Sequence, residues 1–175
     1  MDLKKYIRSI QDYPKKGILF RDITTLIKEP GAFNQCIDQM SNIINSLSLD
    51  KIASIESRGF IFASPLSYNL HKANILLRKK NKLPSAKYSV DFELEYGTGT
   101  LEIHKDSIKT NDKVVIVDDL IATGGTAEAA AKLIEKSGGK VVGFIFVINL
   151  YDLGGKELLE NKGYKTFSLM DFPGH

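Results

Sequence analysis

After Asp50 the chain alternates short, nearly continuous apolar runs with helix-forming stretches, and this alternation limits its fold more than any other feature. Ile52 to Ile55 precedes the helical pattern of Phe60 to Leu70, and Ile75 to Leu77 follows it. Val114 to Val117 leads into Gly125 to Ser137, and Val141 to Ile148 and Tyr164 to Leu169 complete the series. Runs rich in β-branched residues with no polar face suit strands buried on both sides, and helices between them supply the crossovers of a parallel sheet. The fold class expected is α/β.

Upstream, Phe33, Cys36, Ile37, Met40, Ile43, Ile44 and Leu47 recur at helical spacing after Pro30 and Gly31, predicting an amphipathic helix with a core-facing stripe. Leu3, Tyr6, Ile7 and Ile10 predict a second, shorter helix by the same periodicity. Asp12 to Asp22 reads as an ordered loop, because Ile18, Leu19 and Phe20 need cover. Val90, Phe92, Leu94 and Tyr96 alternate with Asp91, Glu93 and Glu95, and Gly97-Thr98-Gly99 precedes Leu101 and Ile103. Period two beside a Gly-rich turn predicts a two-stranded antiparallel arm projecting beside the sheet.

Composition narrows the class. At 175 residues, with 43% hydrophobic and 26% charged residues, the chain fits one globular domain over 1–175. The longest apolar run, Val141 to Ile148, is far short of the ~20 residues of a membrane helix. Cys36 is the one cysteine and falls on the apolar stripe, so it reads as a buried structural thiol suited to a reducing cytoplasm. The net charge of +3 does not indicate nucleic-acid binding, but it is unevenly spread. Ser57 to Val90 holds seven cations and no acidic residue, so the remainder of the chain is net negative. The cluster Arg78-Lys79-Lys80-Asn81-Lys82 ends a predicted strand, where a loop can aim it at an anion.

Ligands of open α/β sheets bind beyond the carboxyl ends of the strands. Two segments lie there. Val117-Asp118-Asp119-Leu120-Ile121-Ala122-Thr123-Gly124-Gly125-Thr126 runs into a helix, and its small residues, exposed amides and hydroxyls suit a phosphate. No Gly-Lys-Ser/Thr follows, so it is not a Walker A loop. An acid pair before a phosphate cup makes sense if the ligand also offers a vicinal diol or a metal, as a ribose 5-phosphate does; complementing the helix dipole is the plainer alternative. The second segment is Glu56-Ser57-Arg58-Gly59-Phe60, where Arg58 can pair with a diphosphate or simply be a surface cation.

The first of these segments resembles the 5-phosphoribosyl 1-pyrophosphate (PRPP) signature of type I phosphoribosyltransferases. Gly17-Ile18-Leu19-Phe20-Arg21-Asp22-Ile23, Ser57-Arg58-Gly59-Phe60, and Leu94-Glu95-Tyr96-Gly97 with Leu101-Glu102-Ile103 resemble the adenine-specific branch of that family. The resemblance runs from about Ile10 to Phe172-Pro173-Gly174-His175. It implies a twisted parallel sheet flanked by helices, with a small hood over 1–30 and a flexible antiparallel flap over 79–105. It also implies transfer of phosphoribosyl from PRPP to adenine, giving AMP and pyrophosphate, with Mg²⁺ held mainly by substrate, in a cytoplasmic homodimer that engages neither nucleic acid nor membrane.

Residue by residue, the resemblance assigns the ribose 5′-phosphate to Asp118, Asp119, Ala122, Thr123, Gly124, Gly125 and Thr126. It assigns the pyrophosphate to Arg58, Arg78, Lys79 and Lys82, the adenine to Leu19, Phe20, Arg21 and Leu120, and proton transfer to Glu95. Periodicity alone would make Glu95 an ordinary solvent-facing residue. Lys80-Asn81 replace a Pro-Gly common in the family, and Asn81 is expected to keep the turn because Asn tolerates a left-handed backbone. A 6-oxopurine-specific relative and a PRPP-binding regulator without turnover remain as alternatives at this stage.

Overall fold

The structure is a computed structural model describing residues 1–94 and 96–175. The chain opens with a 3-10 turn at Leu3–Tyr6, then pairs β1 (Arg8–Gln11) with β2 (Leu19–Asp22) in a small antiparallel ribbon, followed by the short α1 (Thr24–Ile27). The helix expected from Leu3 to Ile10 is therefore corrected to a single 3-10 turn and a strand. Leu3 and Ile7 are buried, but they reach the core from two different backbone conformations, which imitates helical spacing. The expected Asp12–Asp22 loop likewise ends in a strand.

Helix α2 (Pro30–Asn45) follows, with Pro30 in its first turn, where the missing amide costs nothing. Its stripe of Cys36, Ile37, Met40 and Ile44 is buried, as the sequence pattern predicts, and burial pushes the Cys36 thiol up to about 12. Next come β3 (Lys51–Ile55), α3 (Arg58–Leu70), β4 (Ala73–Lys79), β5 (Lys87–Leu94), β6 (Gly97–His104), β7 (Lys113–Ile121), α4 (Gly125–Lys136), β8 (Lys140–Leu150), a 3-10 turn at Tyr151–Leu153, α5 (Gly155–Asn161) and β9 (Thr166–Phe172).

Seven strands form the main sheet in the order β5-β6-β4-β3-β7-β8-β9. From β4 to β9 all neighbours are parallel, and the α/β expectation is met. One face packs α2 and α3 through Cys36, Met40, Ile44, Phe62 and Leu66 against Val115, Val117, Ile145 and Val147. The other packs α4 and α5 through Ala127, Ala130, Ile134 and Leu159 against Ile116, Phe144 and Phe146. Covering both faces explains the unbroken apolar strands, since each fully buried Ile or Phe contributes about 1.5–3 kcal/mol relative to exposure.

The arm β5–β6 is antiparallel, with Leu94 across from Gly97, and it joins the sheet where Arg78 pairs with Glu102 and Lys79 with Leu101. It thus extends the sheet edge rather than standing free, and Gly97 and Gly99 lie within β6. Gly99 leaves room for Phe92: a Cβ there would come within 2.6 Å of its ring and displace it. Asn81 takes the left-handed turn expected of it, with φ +65°.

Candidate active site

The carboxyl ends of β3 and β7, the end of β4 and the inner side of the arm enclose a cleft of about 670 Å³. Strand β7 does not stop at Val117 but continues through Asp118 and Asp119 to Ile121, so both acids project from a regular strand. Asp119 is buried and donates its backbone amide to Asp118 Oδ1 at 2.9 Å. Burial pushes Asp118 well above the usual carboxylate range, and the neighbouring Asp119 charge adds to it. Burial also raises Asp119, against the pull of Arg58. Two carboxylates this close and this poorly hydrated favour a partner that supplies hydroxyl donors or positive charge.

Beyond Ile121, residues Ala122 to Thr126 turn into α4 and line the cleft. Gly124 sits at φ +90°, and a Cβ there would also crowd Leu158 at 3.0 Å and Gly155 at 3.1 Å, so only glycine suits the position. No side chain caps α4. Its first-turn amides, which by helix geometry lack intrahelical acceptors, are left for an anion. The cup is fixed from below by Gly155, whose amide donates to the Ala122 carbonyl at 2.9 Å. A Cβ on Gly155 would strike that same carbonyl oxygen and come within 2.8 Å of the Gly124 nitrogen. Sequence reading missed Gly155; the Gly154-Gly155 doublet was its only signal.

Helix α3 brings up the cationic wall. Gly59 lets its first turn press on β7, since a Cβ there would lie 2.9 Å from the Val117 carbonyl and 3.1 Å from Asp118 Oδ1. Arg58 Nε consequently sits 2.9 Å from Asp119 Oδ2, although that oxygen accepts no aligned hydrogen bond. The Arg58 guanidinium also lies 5.5 Å from the Phe20 ring centroid, which connects the cleft to the β1–β2 ribbon. Lys79 and Lys80 extend this cationic wall of the cleft.

Glu56, not singled out from sequence, organises that wall. Its Oε2 accepts the Lys79 amide at 2.8 Å and lies 3.3 Å from Arg78 Nε. Burial alone would raise this carboxyl, but the Lys79 amide and Arg78 outweigh it and hold it below the usual range.

Of the residues proposed from sequence, Arg58, Lys79, Asp118, Asp119, Leu120, Ala122, Thr123, Gly124, Gly125 and Thr126 all line this one cleft. Arg78 is drawn aside to Glu56, and Lys82 lies exposed beyond the lining. Leu19, Phe20 and Arg21 stand on β2 in the N-terminal ribbon, outside the cleft lining, with Phe20 nearest through Arg58. Glu95 lies outside the described residues.

An acid pair, an uncapped helix start and a cation wall at the end of a parallel sheet can grip a diol, a phosphate and a diphosphate at once. A family model described as phosphoribosyl transferase domain matches residues 22–173. The chain belongs to the phosphoribosyltransferase family. It is 66% identical to the adenine phosphoribosyltransferase of Pelagibacter ubique over all of both chains. Among solved structures, the adenine phosphoribosyltransferase of Thermoanaerobacter pseudethanolicus superposes with a TM-score of 0.94 at 47% identity, covering 98% of each chain. That of Saccharomyces cerevisiae, solved with adenine and an imino-altritol bisphosphate, superposes with a TM-score of 0.89 at 34% identity over 97% of each. This phosphoribosyltransferase is therefore an enzyme whose cleft, acid pair and cup can be interpreted through transfer chemistry.

Among the described residues no three His, Cys, Asp or Glu side chains come together as a metal cage, and no helix is long and apolar enough to cross a membrane. The oxygen-only acid pair fits a hard cation that keeps most of its waters, with Asp119 Oδ2 already facing the Arg58 guanidinium.

Proposed function

We propose that this phosphoribosyltransferase moves the phosphoribosyl group of PRPP to adenine, releasing pyrophosphate and forming AMP. The observation that carries the reading is the convergence of Asp118, Asp119, the Thr123–Thr126 cup and the Arg58–Lys79 wall in one cleft, in a chain matched end to end by an adenine phosphoribosyltransferase. The cup amides and the hydroxyls of Thr123 and Thr126 hold the 5′-phosphate, and Ala122 lets the backbone approach it. Asp118 and Asp119 accept hydrogen bonds from the 2′- and 3′-hydroxyls. Fixing both ends of the ribose leaves C1′ with little freedom, which lowers the entropic part of the barrier.

In the reaction the C1′–O bond to diphosphate breaks and that oxygen keeps the electron pair, while adenine N9 forms the new bond to C1′ and loses its proton. Arg58 and Lys79 stabilise the charge that builds on the diphosphate, with Arg78 and Lys82 further out. Mg²⁺, held mainly by the substrate, would neutralise part of that charge when bound. Glu95 accepts the N9 proton. Leu120 and Phe20 pack on the purine faces, while backbone groups of Leu19 and Arg21 read its edge; a 6-oxo base would leave buried donors and acceptors unpaired.

The chain also acts, on this reading, as a cytoplasmic homodimer. Exposed Ile61 and Tyr68 on the outer side of α3 and Leu76 on β4 supply an apolar surface that a second copy would cover.

The test is pyrophosphate release from PRPP and Mg²⁺ with adenine, guanine, hypoxanthine, xanthine or orotate. Release with adenine at least ~10³-fold faster than with any other base is expected, because mismatched buried hydrogen bonds support discrimination of that order. Preference for a 6-oxopurine would keep the phosphoribosyl site and overturn the base assignment; no release with any base would favour a sensor.

A further inference from the structure

The ribbon β1–β2 is a two-stranded sheet separate from the main one, with four paired positions. Such a ribbon is not stable in water by itself. Yet it carries Phe20, the hood residue whose ring lies beside Arg58. Ile7 and Ile23, which flank its two strands, are buried in the main core, and the Arg21 side chain adds a second, polar tie.

Arg21 is only 7% exposed, and its guanidinium points away from the cleft lining. Nη1 donates to Ser9 Oγ on β1, and Nη2 donates to the Pro173 carbonyl at 2.8 Å. The guanidinium also stacks 4.7 Å from the Phe172 ring centroid, and Lys4 Nζ lies 5.6 Å from the same ring. Strand β9 is an edge strand of the main sheet and ends at Phe172, so the segment after it reaches the hood.

That segment is pinned at its other end. The Gly174 amide donates to Asp152 Oδ1 at 2.6 Å, beside the 3-10 turn that follows β8. A Cβ on Gly174 would come within 2.7 Å of Leu153 Cγ and 2.8 Å of Asp152 Oδ1, so the fit admits only glycine without displacement.

We propose that Arg21 is a positioning residue for the purine, its side chain tying β2 to the strap Phe172–Gly174 so that the base wall is held at a fixed distance from the cleft. The proposal rests on the assignment of Leu19 to Arg21 as that wall. A buried guanidinium whose side chain joins the ribbon to the segment after β9 is justified by what it holds in place. Lysine can keep the charge at position 21, but a single ammonium lacks the planar fork that spans Ser9 and Pro173 and stacks on Phe172.

Steady-state kinetics of Arg21→Lys, Gly174→Ala and the double variant test the link. Each single change is expected to raise KM for adenine about tenfold, with KM for PRPP kept within about twofold. The double variant should show the same increase as either single, because both changes cut one connection. Rescue of Arg21→Lys is not expected from excess PRPP. If Arg21→Lys fails to fold, Gly174→Ala, which is remote from the base wall, decides alone. An unchanged KM for adenine, a parallel rise in both KM values, or multiplying effects in the double variant would overturn the proposal. If the unaltered enzyme turns over a 6-oxopurine instead of adenine, the base-wall assignment fails and the proposal falls with it. Adenine turnover with insensitive variants sinks the strap alone.

Discussion

Replacing Asp118 and Asp119 together by asparagine is expected to lower kcat/KM for PRPP by about 10²–10⁴, the cost of two charge-assisted hydrogen bonds to the ribose diol at roughly 1.5–3 kcal/mol each. The same variant should melt higher than the parent when no ligand is bound. Both carboxyls are raised above their ordinary value of 3.8 by burial, so the folded state binds protons more tightly than the unfolded chain does. Stability held below that value is lost as pH climbs through the folded values. At neutral pH the apo protein carries that penalty, and asparagine removes it. Each 1 kcal/mol regained would raise Tm by about 2–4 °C in a chain of this size. Well below 3.8, under about pH 3, the two melting curves should converge, since the parent carboxyls are then protonated in both states. Near-normal kinetics, or a Tm that drops at pH 7, would contradict the diol grip or the electrostatic account respectively.

Glu95→Gln should separate chemistry from binding. The amide keeps the size of the side chain but cannot take up a proton at neutral pH. The expected loss is about 10²–10⁴ in kcat, the usual contribution of a positioned general base. KM for PRPP should change little, because the cup, the acid pair and the Arg58–Lys79 wall are untouched. The pH–rate profile should lose one limb as well. A kcat within about twofold of the parent enzyme would remove Glu95 from proton transfer and leave the purine to lose its proton to water.

How much of this could be read from the sequence depended on how local its cause was. The central strands were legible because the middles of β3, β7 and β8 are buried on both faces and are almost wholly apolar, up to the acid pair on β7. The cup was legible because one continuous segment supplies the strand end, the tight turn and the helix start. Leu3 to Ile10 misled because a 3-10 turn followed by a strand buries Leu3 and Ile7 four positions apart, as a helix would. Strand β2 was hidden in four residues whose pairing partner lies across the Asp12–Ile18 loop.

Side chains that act through distant contacts were the least visible. Glu56 organises the end of a strand 23 positions later at Lys79. Gly155 supports a loop that closed thirty residues earlier, and nothing near it in sequence announces a ligand. Arg21 is 152 positions from the carbonyl it holds. In each case the function lies in a tertiary contact, to which periodicity and local composition are blind.

The central claim is that one cleft grips both ends of a phosphoribosyl group. A crystal structure of the enzyme with AMP tests it most directly. The account predicts the 5′-phosphate within ~3 Å of the amides of Thr123 to Thr126, and the 2′- and 3′-hydroxyls within hydrogen-bonding distance of Asp118 and Asp119. AMP bound elsewhere, or bound with its ribose turned away from the acid pair, would contradict it.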